Sequence, residues 1–412
     1  MKILEENHQG FSTILALAFI PLSGFATDIY LPSLPAMAND LGVSASAVQL
    51  SLVVFMFSVG ISQFFIGSLL DSFGRYKIGL ASLALFSITS FVIALSFNMY
   101  VIYAMRIIQG ISIALIVVGK RAYFVDLFSG EKLKNYISLF SIIWASAPIM
   151  APFLGGYLQN SFGWRSNFYF LGGLSLLFLI LELIYSGESL KYYQPFKLKI
   201  IAKTYTDMLK TTDFILGLSI IGICFGVVLV YSLSGPFIIE RVLGYSAITT
   251  GYSSLLSGFS LMTGGIIAKS LIKKPLDKKV SIAFGIQILL VVLMILTATW
   301  RSSLYTLIGF IIGIHIAGGF IFNILYAYCL SRFSKNAGVA SGLTGGVMYM
   351  ISSIFSYGFA NFFQVKSQLL LGVADLSLLI IVVIFFVIFN KYRLKNRAEN
   401  SIKVELNSLI KT

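Results

Sequence analysis

Apolar runs of about 20 residues, the length a helix needs to cross a bilayer, recur along almost the whole chain. They lie near residues 11–32, 47–68, 78–97, 99–119, 135–157 and 164–186, and again near 213–238, 247–269, 280–299, 304–329, 338–362 and 368–390. Backbone groups in lipid must be satisfied within the protein, so runs of this length predict helices. The expected fold class is therefore an all-α membrane protein of twelve transmembrane helices. Composition agrees: of 412 residues 58% are hydrophobic and only 11% charged, with a mean hydropathy of +0.91. A water-soluble domain and a disordered chain are both excluded. The first run, from Phe11 to Leu31, is longer and more evenly apolar than a signal-peptide core, so it is expected to remain as the first span.

The net charge of +14 raises the question of nucleic acid, and the placement of the charge answers it. With the N-terminus cytoplasmic, 25 of the 30 lysines and arginines fall in the tail, in alternate loops and after Asn390. Opposite them stand only Arg165, Arg241, Arg301 and Lys366, and Arg106 is left inside a span. That bias, to which Lys335 contributes, predicts both termini in the cytoplasm and reads as topology, with no nucleic-acid partner. The longest basic loop divides the spans six and six. The expected organisation is an N-terminal half at 1–190, a cytoplasmic linker at 191–212, a C-terminal half at 213–390 and a cytoplasmic tail at 391–412. Tyr192, Tyr193, Pro195 and Phe196 place the linker on the membrane surface. In the tail, Ile402, Leu406 and Ile410 recur at helical spacing, which fits an interfacial helix as well as a frayed polar end.

Inside the first span stands Asp28, in Thr27-Asp28-Ile29-Tyr30-Leu31-Pro32. Low dielectric disfavours the charged form of a carboxyl and a nearby cation favours it, so such a group opposite an arginine can load and unload a proton. A fixed structural ion pair is the alternative. Nothing in the sequence points to an enzyme or a cofactor: there is no His/Cys cluster, phosphate loop or nucleophile elbow. Cys224 and Cys329 lie in apolar runs, where they behave as small hydrophobes.

Between the second and third spans the chain reads Gly67-Ser68-Leu69-Leu70-Asp71-Ser72-Phe73-Gly74-Arg75-Tyr76-Lys77. Its glycines permit a tight turn and close helix approach, and Asp71 and Arg75 supply opposite charges. This loop resembles the Gly-x-x-x-Asp-x-x-Gly-Arg pattern of the major facilitator superfamily. Arg106-Ile107-Ile108-Gln109-Gly110 is similar to that family's buried-arginine motif, and Asp126 to the acid that pairs with the loop arginine. Ala147-Pro148-Ile149-Met150-Ala151-Pro152-Phe153-Leu154-Gly155-Gly156 resembles the antiporter motif, whose small residues and prolines suit a hinge. With Asp-x-Tyr-Leu-Pro in the first span, the resemblance narrows to the drug:proton antiporters of the bicyclomycin/chloramphenicol-resistance (Bcr/CflA) subfamily.

That resemblance implies two six-helix halves in the major facilitator fold and proton-driven export of small amphipathic molecules by alternating access. It implies Asp28 and Arg106 as the proton-coupling pair, and Gly67, Asp71, Gly74, Arg75 and Asp126 as a conformational latch. Pro148, Pro152, Gly155 and Gly156 become the antiporter hinge. Gly265 to Lys279, the corresponding loop of the second half, lacks Gly-Arg, so the latch is expected in the first half only.

Candidates for the cavity are the polar and aromatic residues in mid-span: Tyr30, reaching it through the bend at Pro32, Tyr231, His315 and Asn323. His315 fits a second protonatable site or a neutral member of a helix contact. Glu182 and Asp375 lie near span ends and are expected to reach interfacial water. The resulting expectation is a multi-pass transporter of a bacterial inner membrane. It would act as a monomer on a small-molecule substrate, with protons and the lipid bilayer as its other partners and the proton gradient in place of a cofactor. A dedicated carrier of one metabolite, such as a siderophore or amino-acid derivative, exporter or importer, is the alternative, and a sensor that has lost transport is a third reading.

Overall fold

The structure, a computed structural model, describes Lys2 and residues 4–190, 192–193, 195, 198–333 and 337–409, without the side chains of 141, 144–145, 198–201, 337–338 and 395–409. Of the expected linker and tail, Phe196, Ile410 and the side chains of Ile402 and Leu406 lie outside the described residues, as does Lys335. Long helices occupy each of the apolar runs. They are α1 (Glu6–Asp40, interrupted), α2 (Ala45–Ser62), α3 (Arg75–Leu95), α4 (Met99–Leu127), α5 (Gly130–Phe162) and α6 (Arg165–Tyr185). After a short helix at Leu198–Leu209 come α7 (Thr212–Val242), α8 (Ala247–Ser270), α9 (Leu276–Trp300), α10 (Leu304–Arg332), α11 (Ala337–Phe362) and α12 (Gln368–Leu409).

Among the described residues ten of these are long and apolar enough to span a membrane. Helices α5 and α8 pack against each other. Helices α1 to α6 pack mainly among themselves, as do α7 to α12, and the two groups meet where α5 lies on α8 and α2 on α11. At the second crossing Gly60 and Gly346 face each other, and a Cβ on either would come within 2.7 Å of the other's carbonyl oxygen. Small residues here let two backbones touch, as membrane helices do when no hydrophobic gain favours protein over lipid.

The first span departs from the continuous helix its apolarity predicts. It breaks at Phe19-Ile20-Pro21 and again after Asp28, resumes as a 3-10 turn over Leu31–Ser33, and ends as Leu34–Asp40. Pro21, Pro32 and Pro35 each stand at the start of a new segment, where a missing N–H is tolerated. Asp28 is thus the last residue of a seven-residue helical piece ending inside the membrane.

Candidate functional site

The second break determines what Arg106 can hold. Ile29 N–H is the last to reach back, to Phe25 O at 3.1 Å, and the next carbonyl, Ala26 O, accepts from Arg106 Nη1 at 3.0 Å instead. Arg106 is fully buried, and its other bonds go to Gln109 Oε1 at 3.0 Å, Ser51 O at 3.4 Å and Tyr30 Oη at 3.4 Å. The directions chain together. Ser51 Oγ donates to Val48 O at 2.6 Å, so Tyr30 O–H donates to Ser51 Oγ at 3.1 Å and its oxygen is left to accept from Arg106. The guanidinium carbon also lies 4.0 Å from the Phe55 ring centroid and 4.7 Å from that of Tyr30. Four of the five N–H groups of a guanidinium are spent in this way, and one on Nη2 remains.

Asp28 is held differently. It is half-buried where Ile29 and Tyr30 are fully buried, and among the described residues it forms no ion pair or hydrogen bond. Arg106 acts on it through space, without contact. From the other half, Tyr349 of α11 lies within electrostatic range of the same carboxyl and of Tyr326. Tyr349 and Phe225 of α7 are the side chains that pack on the apolar cores of both halves. Neither was singled out in the sequence, because an aromatic among 57 Phe and Tyr residues carries no signal of its own.

The cavity candidates separate. Tyr30 is fully buried against Phe168, with ring centroids 5.3 Å apart, and its oxygen accepts from Arg106, which it supports. Asn323 is exposed and donates to Gly319 O of its own helix at 2.8 Å. Tyr231 and His315 come together, their rings edge-on at 5.6 Å. Two expectations at the span ends are overturned. Glu182 is 3% exposed because it pairs with Lys120, which has snorkelled inward over Phe19. Asp375 is fully buried, and neither of its carboxyl oxygens has a hydrogen-bond partner among the described residues.

At the basic end, Gly74 takes φ +90°, a conformation that favours glycine, and turns the chain into α3. Gly67 meets nothing within 4 Å, so its motif position is not explained by packing. Arg75 pairs with Asp126, donates to Asp71 Oδ1 at 2.9 Å and to Ala122 O at 3.2 Å. A residue outside the motif completes the cluster. Glu188 accepts from the first two N–H groups of α3, those of Arg75 and Tyr76, each at 3.1 Å, and thereby caps a helix start that has no cap of its own. Ser189 donates to Asp126 at 2.9 Å, and Lys2 donates to Leu183 O and Ile184 O. The second half carries basic-end ion pairs without the motif: Arg332 with Asp213 at 2.9 Å and Arg393 with Asp277 at 3.0 Å.

The Arg75–Asp126 pair is sheltered, with 12% and 14% of the side chains exposed, and removing one partner of a sheltered pair leaves the other uncompensated. Asp126→Asn is expected to destabilise the protein by about 2–4 kcal/mol in thermal unfolding, by that reasoning. Glu131→Gln, which breaks the exposed Lys134–Glu131 pair, should leave the transition within about 0.5 kcal/mol of wild type. Equal effects of the two substitutions would show that the cluster holds nothing.

The residues of α5 expected to form a hinge pack on α1 and on α8. The helix runs unbroken through Pro148 and Pro152. Gly155 abuts the Ile29 carbonyl of α1, and a Cβ on Gly156 would come within 2.6 Å of Ala247 O of α8.

Residues 16–357 match the Major Facilitator Superfamily. The chain is 27% identical to the "Bicyclomycin resistance protein homolog" of Haemophilus influenzae, over 85% of this chain and 89% of that one. It is 32% identical to a "Chloramphenicol resistance protein" of Pseudomonas aeruginosa over 39% of each. Among solved structures, a bacterial homolog to the human lysosomal transporter Spinster, inward-facing and unoccupied, superposes with a TM-score of 0.71 at 15% identity. That superposition covers 95% of this chain and 98% of that one, a likeness of fold.

Proposed function

Since this chain belongs to the major facilitator superfamily, and so is a membrane transporter rather than an enzyme, we propose that it is a proton-coupled antiporter. It would export small amphipathic drugs of the kind named for its relatives, bicyclomycin and chloramphenicol among them. Asp28 carries the proton. The observation that supports this is its lack of an ion pair or hydrogen bond among the described residues: a half-buried carboxyl inside a span, beside an arginine with four of its five N–H groups engaged elsewhere, is free to change charge without breaking the fold. The remaining Nη2 proton of Arg106 is the group that meets the carboxylate when the proton leaves.

In the proposed cycle Asp28 is protonated from the outer side as cargo departs, and cargo entering from the cytoplasm drives the proton off inward. The basic loops, with both termini, face the cytoplasm of a bacterial inner membrane. The Arg75 cluster acts as the latch of that side, and α5 as the hinge. One charge moved across the membrane is worth about 2.3 kcal/mol per 100 mV, enough for roughly fifty-fold accumulation at that potential.

Vesicles with an imposed pH gradient test the reading. Protein reconstituted into liposomes should accumulate chloramphenicol only while the gradient stands, and acidify the opposite compartment as it does so. Accumulation of one polar metabolite, with no movement of any drug in a panel that includes siderophores, would favour the dedicated carrier.

A further inference from the structure

The two halves carry matching polar clusters on corresponding helices, the first, second and fourth of each group of six. In the first half, Tyr30 bonds Ser51 across 21 residues, and Arg106 reaches Ser51 across 55. In the second, Tyr231 bonds Ser253 across 22 residues, and His315 reaches Ser257 across 58, at 2.7 Å between Oγ and Nδ1. His315 and Arg106 each stand on the fourth helix of their half and reach its second. The clusters differ in one respect: the arginine is tied down by carbonyls, whereas His315 Nε2, in a side chain 1% exposed, has no hydrogen-bond partner among the described residues.

Hydrogen-bond accounting assigns its role. Ser257 sits in mid-helix, yet its hydroxyl has His315 Nδ1 as its one partner, where Ser260 on the same helix donates to its own backbone. If Ser257 donates, every group but one is satisfied: Nδ1 accepts, and Nε2 bears the hydrogen. The reverse assignment would leave a buried hydroxyl hydrogen unspent as well as a bare Nε2. The Tyr231 ring, edge-on at 5.6 Å, fixes the imidazole plane. Buried polar groups left unmade are costly and rare in native structures.

We propose that His315 Nε2–H is the cargo-reading donor of a second-half subsite that takes a neutral acceptor oxygen, such as a carbonyl, amide or nitro group, and not a cationic head. The inference rests on the transport reading above, because the cargo is what supplies the missing acceptor. It divides recognition between the halves, with charge read near Asp28 and neutral polarity at His315.

The chain has only two histidines, so the subsite can be observed directly. In full-length His8→Gln protein labelled at the imidazole nitrogens and held in nanodiscs, His315 should show the Nε2–H tautomer. Its Nε2–H resonance should move on adding chloramphenicol and stay in place with tetraphenylphosphonium, which has no acceptor oxygen. His315→Phe should weaken chloramphenicol binding about tenfold and leave tetraphenylphosphonium within about twofold, the size of one buried neutral hydrogen bond. His315→Gln, which restores a donor, should recover most of the loss. An Nδ1–H tautomer, or equal losses for the two compounds, overturns the proposal while leaving efflux standing. A wild-type protein that binds neither compound removes the drug-efflux reading and the subsite with it.

Discussion

Asp28→Asn protein is expected to fold, insert and bind cargo like the wild type and to lose uphill transport altogether. Stability is spared because the carboxyl forms no ion pair or hydrogen bond among the described residues, so the amide breaks nothing by replacing it. Transport is lost because an amide of the same size cannot release a proton, and the gradient then has no group on which to act. In liposomes the variant should equilibrate chloramphenicol at the rate of exchange, reaching a ratio of one across the membrane whatever the imposed pH difference. Arg106→Lys should behave in the opposite way. A lysine has neither the planar fork nor the reach to serve Ala26 O, Ser51 O, Gln109 and Tyr30 together, so its first effect is on stability. A pH-driven gradient of cargo in Asp28→Asn vesicles would remove the carboxyl from the mechanism.

The contrast between those two residues shows what could be read from the sequence. A charge inside an apolar run is visible without coordinates, because lipid tolerates so few, and both Asp28 and Arg106 stood out on that ground. Their relation did not. Opposite charges in two spans read as a pair, but the break at Ile29 frees a backbone carbonyl that accepts from the guanidinium, and a freed carbonyl has no sequence mark beyond the prolines around it. The Arg75 turn was legible because Gly74 must take a positive φ there. Glu188 was not, since it caps α3 from more than a hundred residues away. Glu182 and Asp375 were misread for one reason: distance from a span end says how far water is along the helix axis, not which face turns inward.

Gly155→Ala is expected to have a larger effect on stability than any other single methyl added to the chain at a site considered above. The added carbon would overlap the Ile29 carbonyl oxygen, and its carbon lies only 2.7 Å away, so the conflict is with backbone and no rotamer change relieves it. Helix α5 must then move off α1 at the residue next to Asp28. It has no slack on its other side, where Gly156 meets Ala247 O and where the Pro152 carbonyl lies 2.8 Å from the place a Cβ on Gly251 would occupy. Overpacking of this kind costs about 1–3 kcal/mol in a well-packed core. Here it also pushes α5 toward α8, its neighbour in the other half. Gly173→Ala, in α6, is the matched control: nothing lies within 4 Å of its added carbon, and replacing a mid-helix glycine should gain up to about 1 kcal/mol. Thermal unfolding should therefore move in opposite directions for the two alanines, with liposome transport abolished in the first and retained in the second. Wild-type melting and transport in Gly155→Ala would mean that α5 and α1 approach less closely than this, and that the proposed hinge is not mechanically joined to the carboxyl.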